Sequence, residues 1–126
     1  MKILVVDDET DVQALFEQRF RREIRSGELA FAFAHSGEEA LHYLDEHLAE
    51  AEAILILSDI NMPGMSGLEL LRRIKTTYPK PPPVVMMITA YGDDATHEQA
   101  IQYGADDFLN KPLDFIALKQ KLQSRP

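Results

Sequence analysis

The chain has 126 residues with a formal net charge of −8 at pH 7, and it contains no cysteine, which excludes disulfides and thiolate metal sites. The acidic balance argues against direct binding to nucleic acid or to an anionic membrane, because both depend on Lys and Arg to neutralise phosphates. No apolar run approaches the ~18 residues of a membrane span, and we expect a cytoplasmic protein. The length predicts one domain over residues 1–126, of which 123–126 begin a linker.

Short β-branched runs alternate with segments of helical period from one end of the chain to the other. In chain order the predicted strands and helices are KILVV, TDVQALFEQRFRREI, ELAFAFA, SGEEALHYLDEHL, EAILILS, SGLELLRRIKTTY, PPVVMMIT, DDATHEQAIQYG, ADDFL and PLDFIALKQKLQS. Five βα repeats with right-handed crossovers predict an α/β fold, a doubly wound five-stranded parallel sheet between two layers of helices. The runs 54–57 and 84–88 are continuously apolar, as central strands require, whereas FAFA at 31–34 alternates and suits an edge.

The starts of three predicted helices carry the capping-box pattern, in which a hydroxyl residue is followed three positions later by Glu or Gln. The pairs are Thr10 with Gln13, Ser36 with Glu39, and Ser66 with Glu69. The fourth predicted helix is only weakly amphipathic. Its apolar side holds mainly Ala95, Ala100 and Ile101, so we expect this helix to be the most loosely packed of the five.

Polar side chains follow the predicted strands at the points where the strands end. Asp7 and Asp8 follow the first strand, Asp59 the third, Thr89 the fourth and Lys111 the fifth. Because ligands of doubly wound sheets collect at the carboxyl ends of the strands, we expect these side chains to meet at one edge. Each residue alone is explained as a turn, cap or solvated residue, and only their coincidence indicates a site.

Three carboxylates a few ångströms apart repel one another unless a cation lies among them. With oxygen ligands alone the suitable ion is Mg²⁺, which takes one or two carboxylates and keeps waters and phosphate oxygens. Such a site favours phosphoryl transfer, with Lys111 and the Thr89 hydroxyl binding phosphoryl oxygens and one carboxylate acting as the nucleophile. Asp59 is the best candidate, since it ends the most buried strand and the Pro63-Gly64 turn then bends the chain away.

Four motifs, ILVVDDE, SDINMPGMSGLELL, ITAYGDD and ADDFLNKPL, closely resemble in order and spacing those of the receiver domain of two-component response regulators. The resemblance covers essentially the whole chain. It implies a flavodoxin-like fold with strand order 2-1-3-4-5. It also implies a phosphorelay switch, in which phosphorylation alters the surface of the fourth helix, the fifth strand and the fifth helix, and whose only catalysis is its own phosphorylation and dephosphorylation.

The resemblance implies roles for single residues at the site. Asp59 matches the phospho-acceptor, Asp7 and Asp8 match the acidic pair that holds Mg²⁺, and Asn61 would offer its backbone carbonyl to the metal. Lys111 matches the lysine that pairs with the phosphoryl group, and the Lys111-Pro112 bond matches the family's cis peptide bond.

A second group of residues matches the switch and its surroundings. Thr89 corresponds to the switch hydroxyl and Phe108 to the switch aromatic, here without a hydroxyl, so that only burial of the ring would report activation. Ala90 is small, as the family prefers beside the phosphoryl group. Asn61 and Tyr91 lie where side chains tune hydrolysis, and the bulk of Tyr91 predicts slow loss of the phosphoryl group.

The implied partners are a sensor histidine kinase or a histidine phosphotransfer protein, and an output domain or target protein; a homodimer that forms on phosphorylation is left open. Two alternative functions remain. A pseudo-receiver would dock proteins without phosphorylation, and failure to bind Mg²⁺ would favour it. A phosphatase of the haloacid-dehalogenase type also uses an Asp nucleophile, but it usually carries Asp-x-Asp after the first strand and a cap region, whereas this chain has DDE and no cap.

Overall fold

The structure, a computed structural model, describes residues 1–47, 54–78, 83–89 and 94–123. The strands are β1 (Lys2–Val6), β2 (Ala30–Ala34), β3 (Ile54–Asp59), β4 (Val84–Thr89) and β5 (Asp107–Asn110). The helices are α1 (Val12–Arg19), α2 (Arg21–Ser26), α3 (Gly37–His47), α4 (Gly67–Thr77), α5 (Asp94–Gln102) and α6 (Phe115–Gln123). The expected linker is therefore still helical at residue 123, and its remaining residues lie outside the described part. None of the helices in these ranges has the length and apolar character to cross a bilayer.

The strands form one parallel sheet in the order β2-β1-β3-β4-β5, which confirms the predicted doubly wound arrangement. The alternating FAFA strand lies at an edge, as its pattern indicates. Every residue of the central strand β3 is buried, because helices cover both faces of the sheet there. The strand order reverses between β1 and β3, so the carboxyl ends of these two strands border the crevice in which ligands of such sheets bind.

Two hydrophobic cores lie on opposite faces of the sheet, because successive strand residues point to opposite sides. The first core includes Leu4 and Met87 and is covered by α3, α4 and α5. The second core includes Val5 and Met86 and is covered by α1 and α6. Thr89 follows Met87 by two positions and therefore lies on the face of the first core.

The first predicted helix, over residues 10–24, is in fact two helices that meet at Phe20. This residue has φ −109° and ψ 24°, although its N–H still donates to the Phe16 carbonyl at 3.0 Å. Both rings are buried, and they stack with centroids 6.0 Å apart in the second core. Core packing of Phe20 thus overrides the regular helical backbone that the periodicity predicts.

Two of the three predicted helix caps form. Ser36 Oγ and Ser66 Oγ accept hydrogen bonds from the N–H three residues later, at 3.1 and 3.2 Å. The predicted cap at Thr10 is wrong, because α1 begins later, behind Asp11, and the Asp11 side chain makes no capping hydrogen bond.

Helix α5 has little buried surface, in agreement with its weak amphipathic pattern. Ala100 is its only fully buried residue. Ile101, which we placed on the apolar side, is 53% exposed. Consecutive residues of a helix are about 100° apart around its axis, so with Ala100 facing the sheet Ile101 points away from it.

Candidate functional site

The carboxylates of Asp7, Asp8 and Asp59 meet at the carboxyl edge of the sheet. Parallel pairing of β1 with β3 sets Val6 opposite Ser58, so the next residues, Asp7 and Asp59, lie side by side. One carboxylate oxygen of each aspartate lies within 4.8 Å of those of the other two. These donors are all oxygen, which is the ligand type that hard divalent cations prefer.

Burial makes the charged form of this cluster costly. Asp59 and Asp7 are 1% and 9% exposed, whereas Asp8 is exposed. Burial raises the pKa of Asp7 above its ordinary value; the N–H of Glu9, 2.9 Å from Oδ1, offsets part of this rise, and the charge of Asp59 adds to it. A cation among the three carboxylates would remove this penalty, so the residues present fit a bound divalent ion.

Lys111 places a positive charge next to Asp59. Its Nζ donates to Oδ2 of Asp59 at 2.8 Å, and its backbone N–H donates to the Thr89 carbonyl at 2.9 Å. Burial lowers the pKa of Lys111, but the hydrogen bond and the charge of Asp59 outweigh it, so the pKa lies above its usual value. The Lys111-Pro112 peptide bond is cis. The lysine is therefore charged at neutral pH and faces the buried carboxylate.

Close contacts hold the backbone around Asp59. The Asn61 N–H donates to Oδ1 of Asp59 at 3.1 Å, so each carboxylate oxygen has a donor. Gly67, at the start of α4, lies so near that a Cβ there would be 2.1 Å from the Asp59 carbonyl oxygen. Gly67 thus lets α4 pack against the end of β3. The motifs assigned it no role, and the available signal was a glycine in the first turn of an otherwise amphipathic helix.

Thr89 on β4 and Phe108 on β5 each contact a residue to which the motifs assigned no role. Thr89 is 4% exposed, and its Oγ1 donates to Oδ1 of Asn110 at 3.2 Å. The half-buried Phe108 ring stacks on His97 of α5 with centroids 3.9 Å apart. Residue spacing could not reveal either contact, because both depend on the packing of β4, β5 and α5.

The predicted residues therefore fall into three groups. Asp7, Asp8, Asp59 and Lys111 come together at one point, whereas Thr89 and Phe108 lie beside it on β4 and β5. Ala90 and Tyr91 lie outside the described residues.

An apolar groove adjoins the cluster, between α1 and the segment that follows β5. Asp7 and Lys111 lie at the groove, and Leu15, Leu113 and Phe115 supply apolar surface to it. Leu15 of α1 is 41% exposed and adds a large apolar side chain to the surface of this groove. The charged site thus opens beside an apolar surface.

Comparison with known proteins agrees with this geometry. Residues 3–123 match the family model described as "Response regulator receiver domain". The response regulator protein PilR of Pseudomonas aeruginosa is 39% identical over 122 residues, which cover 94% of this chain and 24% of PilR. The transcriptional regulatory protein CpxR of Escherichia coli is 33% identical over 123 residues, 98% of this chain and 48% of CpxR.

Among solved structures, the receiver domain of NtrX from Brucella abortus superposes with a TM-score of 0.73 at 30% identity, covering 98% of this chain and 99% of that one. The chain spans no more than about half the length of PilR or CpxR. The match over residues 3–123 and the sheet order together show that the chain belongs to the response regulator receiver domain family.

Proposed function

We propose that this chain is the phospho-accepting switch of a two-component phosphorelay, in which Asp59 receives a phosphoryl group in a Mg²⁺-dependent reaction. The observation that carries the proposal is the setting of Asp59. Its carboxylate is almost fully buried, contacts the Lys111 ammonium, and lies within 4.8 Å of two further carboxylates. A buried carboxylate between the Lys111 ammonium and a bound divalent ion would be well placed to act as the nucleophile.

Asp7, Asp8 and Asp59 would hold the ion, with the backbone carbonyl of Asn61 as a further ligand by analogy with the family. The oxygen-only donor set and the raised pKa of Asp7 support this assignment. Mg²⁺ bound there supplies positive charge that neutralises the oxygens of the transferred phosphoryl group.

In the transfer, a carboxylate oxygen of Asp59 attacks the phosphorus of a phosphohistidine or of a small donor such as acetyl phosphate. The new bond joins that oxygen to phosphorus, and the bond from phosphorus to the donor breaks, its electron pair leaving with the donor nitrogen or oxygen. Lys111 Nζ and the Thr89 hydroxyl bind phosphoryl oxygens. Hydrolysis later restores the carboxylate, so the chain catalyses only its own phosphorylation and dephosphorylation.

Phosphorylation would alter the surface of α5, β5 and α6. The acyl phosphate adds roughly one to two negative charges. Thr89 moves toward it, and Phe108 fills the space that opens behind the hydroxyl. Crystals of the apo and beryllofluoride-bound protein should show different Phe108 rotamers, and the same rotamer in both would contradict this part of the proposal.

The lifetime of the phosphoryl group would depend on Asn61 and Tyr91, which lie two positions beyond Asp59 and Thr89. A bulky side chain there obstructs the attacking water. Tyr91→Ala should therefore lose phosphate faster than the wild type, and an unchanged rate of loss would show that Tyr91 has no such role.

The groove beside the cluster is the proposed docking place of a histidine kinase or a histidine phosphotransfer protein. It offers the apolar surface of Leu15 and Phe115 next to Lys111, which contacts the phosphorylation site. PilR and CpxR are both longer than this chain, which supports an output domain or a separate target protein as the recipient of the signal. A homodimer induced by phosphorylation is the alternative recipient, and the cytoplasm is the proposed compartment.

The test is the mass of the intact protein after incubation with acetyl phosphate, with and without Mg²⁺. We expect the wild type to gain one phosphoryl group only with Mg²⁺, Asp59→Asn to gain none, and Asp11→Asn, which removes an exposed aspartate, to behave like the wild type. A wild type that neither gains mass nor binds Mg²⁺ would contradict the proposal and favour a docking module. A wild type that binds Mg²⁺ without gaining mass calls for a histidine kinase as donor.

A further inference from the structure

We infer that Asn110 restrains the switch: it holds the Thr89 hydroxyl in the unphosphorylated chain, and phosphorylation has to break that hydrogen bond. The inference rests on the proposed function, since it concerns the same site. It assigns a positioning role to Asn110, which directly precedes Lys111 in the ADDFLNKPL motif and to which the resemblance gives no role.

The strand register creates the contact. β4 and β5 pair in parallel with Met87 opposite Phe108 and Thr89 opposite Asn110. Residues two positions apart on a strand share a face, so Phe108 and Asn110 both lie on the face of the first core, as Thr89 does. The Asn110 side chain is therefore the cross-strand neighbour of the Thr89 hydroxyl, and the hydrogen bond between them is 3.2 Å long.

The Thr89 hydroxyl cannot donate its proton to Asn110 and to a phosphoryl group at the same time. A threonine hydroxyl has one proton to donate, and that proton is directed to Oδ1 of Asn110. A phosphoryl oxygen is an acceptor only and needs the same proton. Thr89 can therefore bind a phosphoryl group on Asp59 only after it releases Asn110, and by thermodynamic reciprocity the restraint weakens phosphorylation.

The first measurement is the affinity for beryllofluoride in the presence of Mg²⁺, followed by NMR titration. Asn110→Ala should bind roughly two- to tenfold more tightly than the wild type, the range expected for one hydrogen bond. The same substitution in a Thr89→Val background should change nothing, because no hydroxyl is left to restrain. An unchanged or weaker affinity in Asn110→Ala, or an equal gain in the Thr89→Val background, would overturn the inference.

The second measurement needs neither phosphate nor its analogue. Three-bond couplings report the χ1 angle of Thr89, and they should show one rotamer in the wild type and in Asn110→Asp, which keeps the acceptor oxygen. Asn110→Ala should show averaging between rotamers, and averaging already in the wild type would overturn the inference. A wild type that fails to bind beryllofluoride with Mg²⁺ refutes the proposed function instead, which separates the two failures.

Discussion

The ammonium of Lys111 lies 2.8 Å from Oδ2 of Asp59, although 52 positions of the chain separate the two residues. The carboxylate is buried and the lysine is partly exposed, with its side chain 38% accessible. Lys111→Met should lower the free energy of unfolding by about 2 kcal/mol in the absence of Mg²⁺, because it leaves a buried carboxylate without its counter-charge. Urea denaturation measures the loss.

Lys121→Met is the matched control for that experiment. Lys121 pairs with Asp107, whose side chain is 30% exposed and therefore remains hydrated when the lysine is removed. We expect a loss below about 1 kcal/mol for this variant. Equal losses in the two variants would contradict the view that burial of Asp59 makes the Lys111 pair important.

Asp7→Asn should stabilise the metal-free protein. The pKa of Asp7 is raised by burial, with the Glu9 N–H opposing the rise and the Asp59 charge adding to it, so the folded state disfavours the charged form. At pH 7 the ionised side chain therefore lowers stability, and its removal should raise the free energy of unfolding.

Thermal melts in EDTA and in Mg²⁺ check this prediction. Asp7→Asn should melt above the wild type in EDTA and gain little from Mg²⁺, whereas Asp11→Asn should respond to Mg²⁺ like the wild type. A lower melting temperature of Asp7→Asn in EDTA would show that the carboxylate cluster stabilises the fold without a cation.

Gly67→Ala should be strongly destabilising. Alanine at an ordinary helical glycine stabilises by up to about 1 kcal/mol. Here its Cβ would meet the Asp59 carbonyl oxygen at 2.1 Å and Cα of Ile60 at 2.6 Å, both backbone atoms that cannot move aside without shifting the site. We expect a loss of about 3 kcal/mol, in the range of core overpacking, together with weaker phosphorylation.

Gly64→Ala separates that collision from backbone strain. Gly64 has φ +74°, but a Cβ there would meet no atom within 4 Å. Its substitution should cost only about 1 kcal/mol, the penalty of a left-handed conformation for an L-residue. If Gly67→Ala costs no more than Gly64→Ala, the close approach of α4 to β3 is not a constraint.

Glu23→Gln should change the pH dependence of stability. Glu23 is buried against Lys119, and the hydrogen bond from that lysine lowers the pKa of the carboxyl below 4.5. The stabilisation is therefore fully present above pH 4.5 and is lost as the pH falls through the lower folded-state pKa. We expect the wild type to exceed Glu23→Gln by about 1 kcal/mol at pH 6.

Urea denaturation at several pH values between 3 and 7 gives the test, and Glu17→Gln, which alters an exposed glutamate of α1, is the control. The difference between wild type and Glu23→Gln should shrink toward acid pH, while that for Glu17→Gln should stay small throughout. A difference in the free energy of unfolding between wild type and Glu23→Gln that grows as the pH falls would contradict the predicted pH dependence.

The fold was predictable because its main signal is local. Continuous apolar runs marked the central strands, and the serines at 36 and 66 marked the starts of α3 and α4. Prediction failed where packing decides between local alternatives. Phe20 interrupts a helix that the periodicity continues, and Ile101 faces away from the sheet because Ala100 takes the inner position.

The residues of the site also divide into those that the sequence predicts and those that it does not. Asp7, Asp59 and Lys111 could be placed together from the sequence, because parallel strands deliver their following residues to one edge. Gly67 and Asn110 could not, because one depends on the distance between two backbones and the other on the register of β5 against β4.

Helix α5 has one completely buried residue, Ala100. Because so little apolar surface would be exposed, we expect a low free energy for separating this helix from the sheet. Local opening free energies follow the apolar area that must be exposed, so the amides of α5 should exchange with deuterium well before those of β3, whose residues are all buried. The helix that a phosphorylation signal would displace is thus held by little buried surface, and we expect the strand that carries Asp59 to be among the last parts of the fold to open.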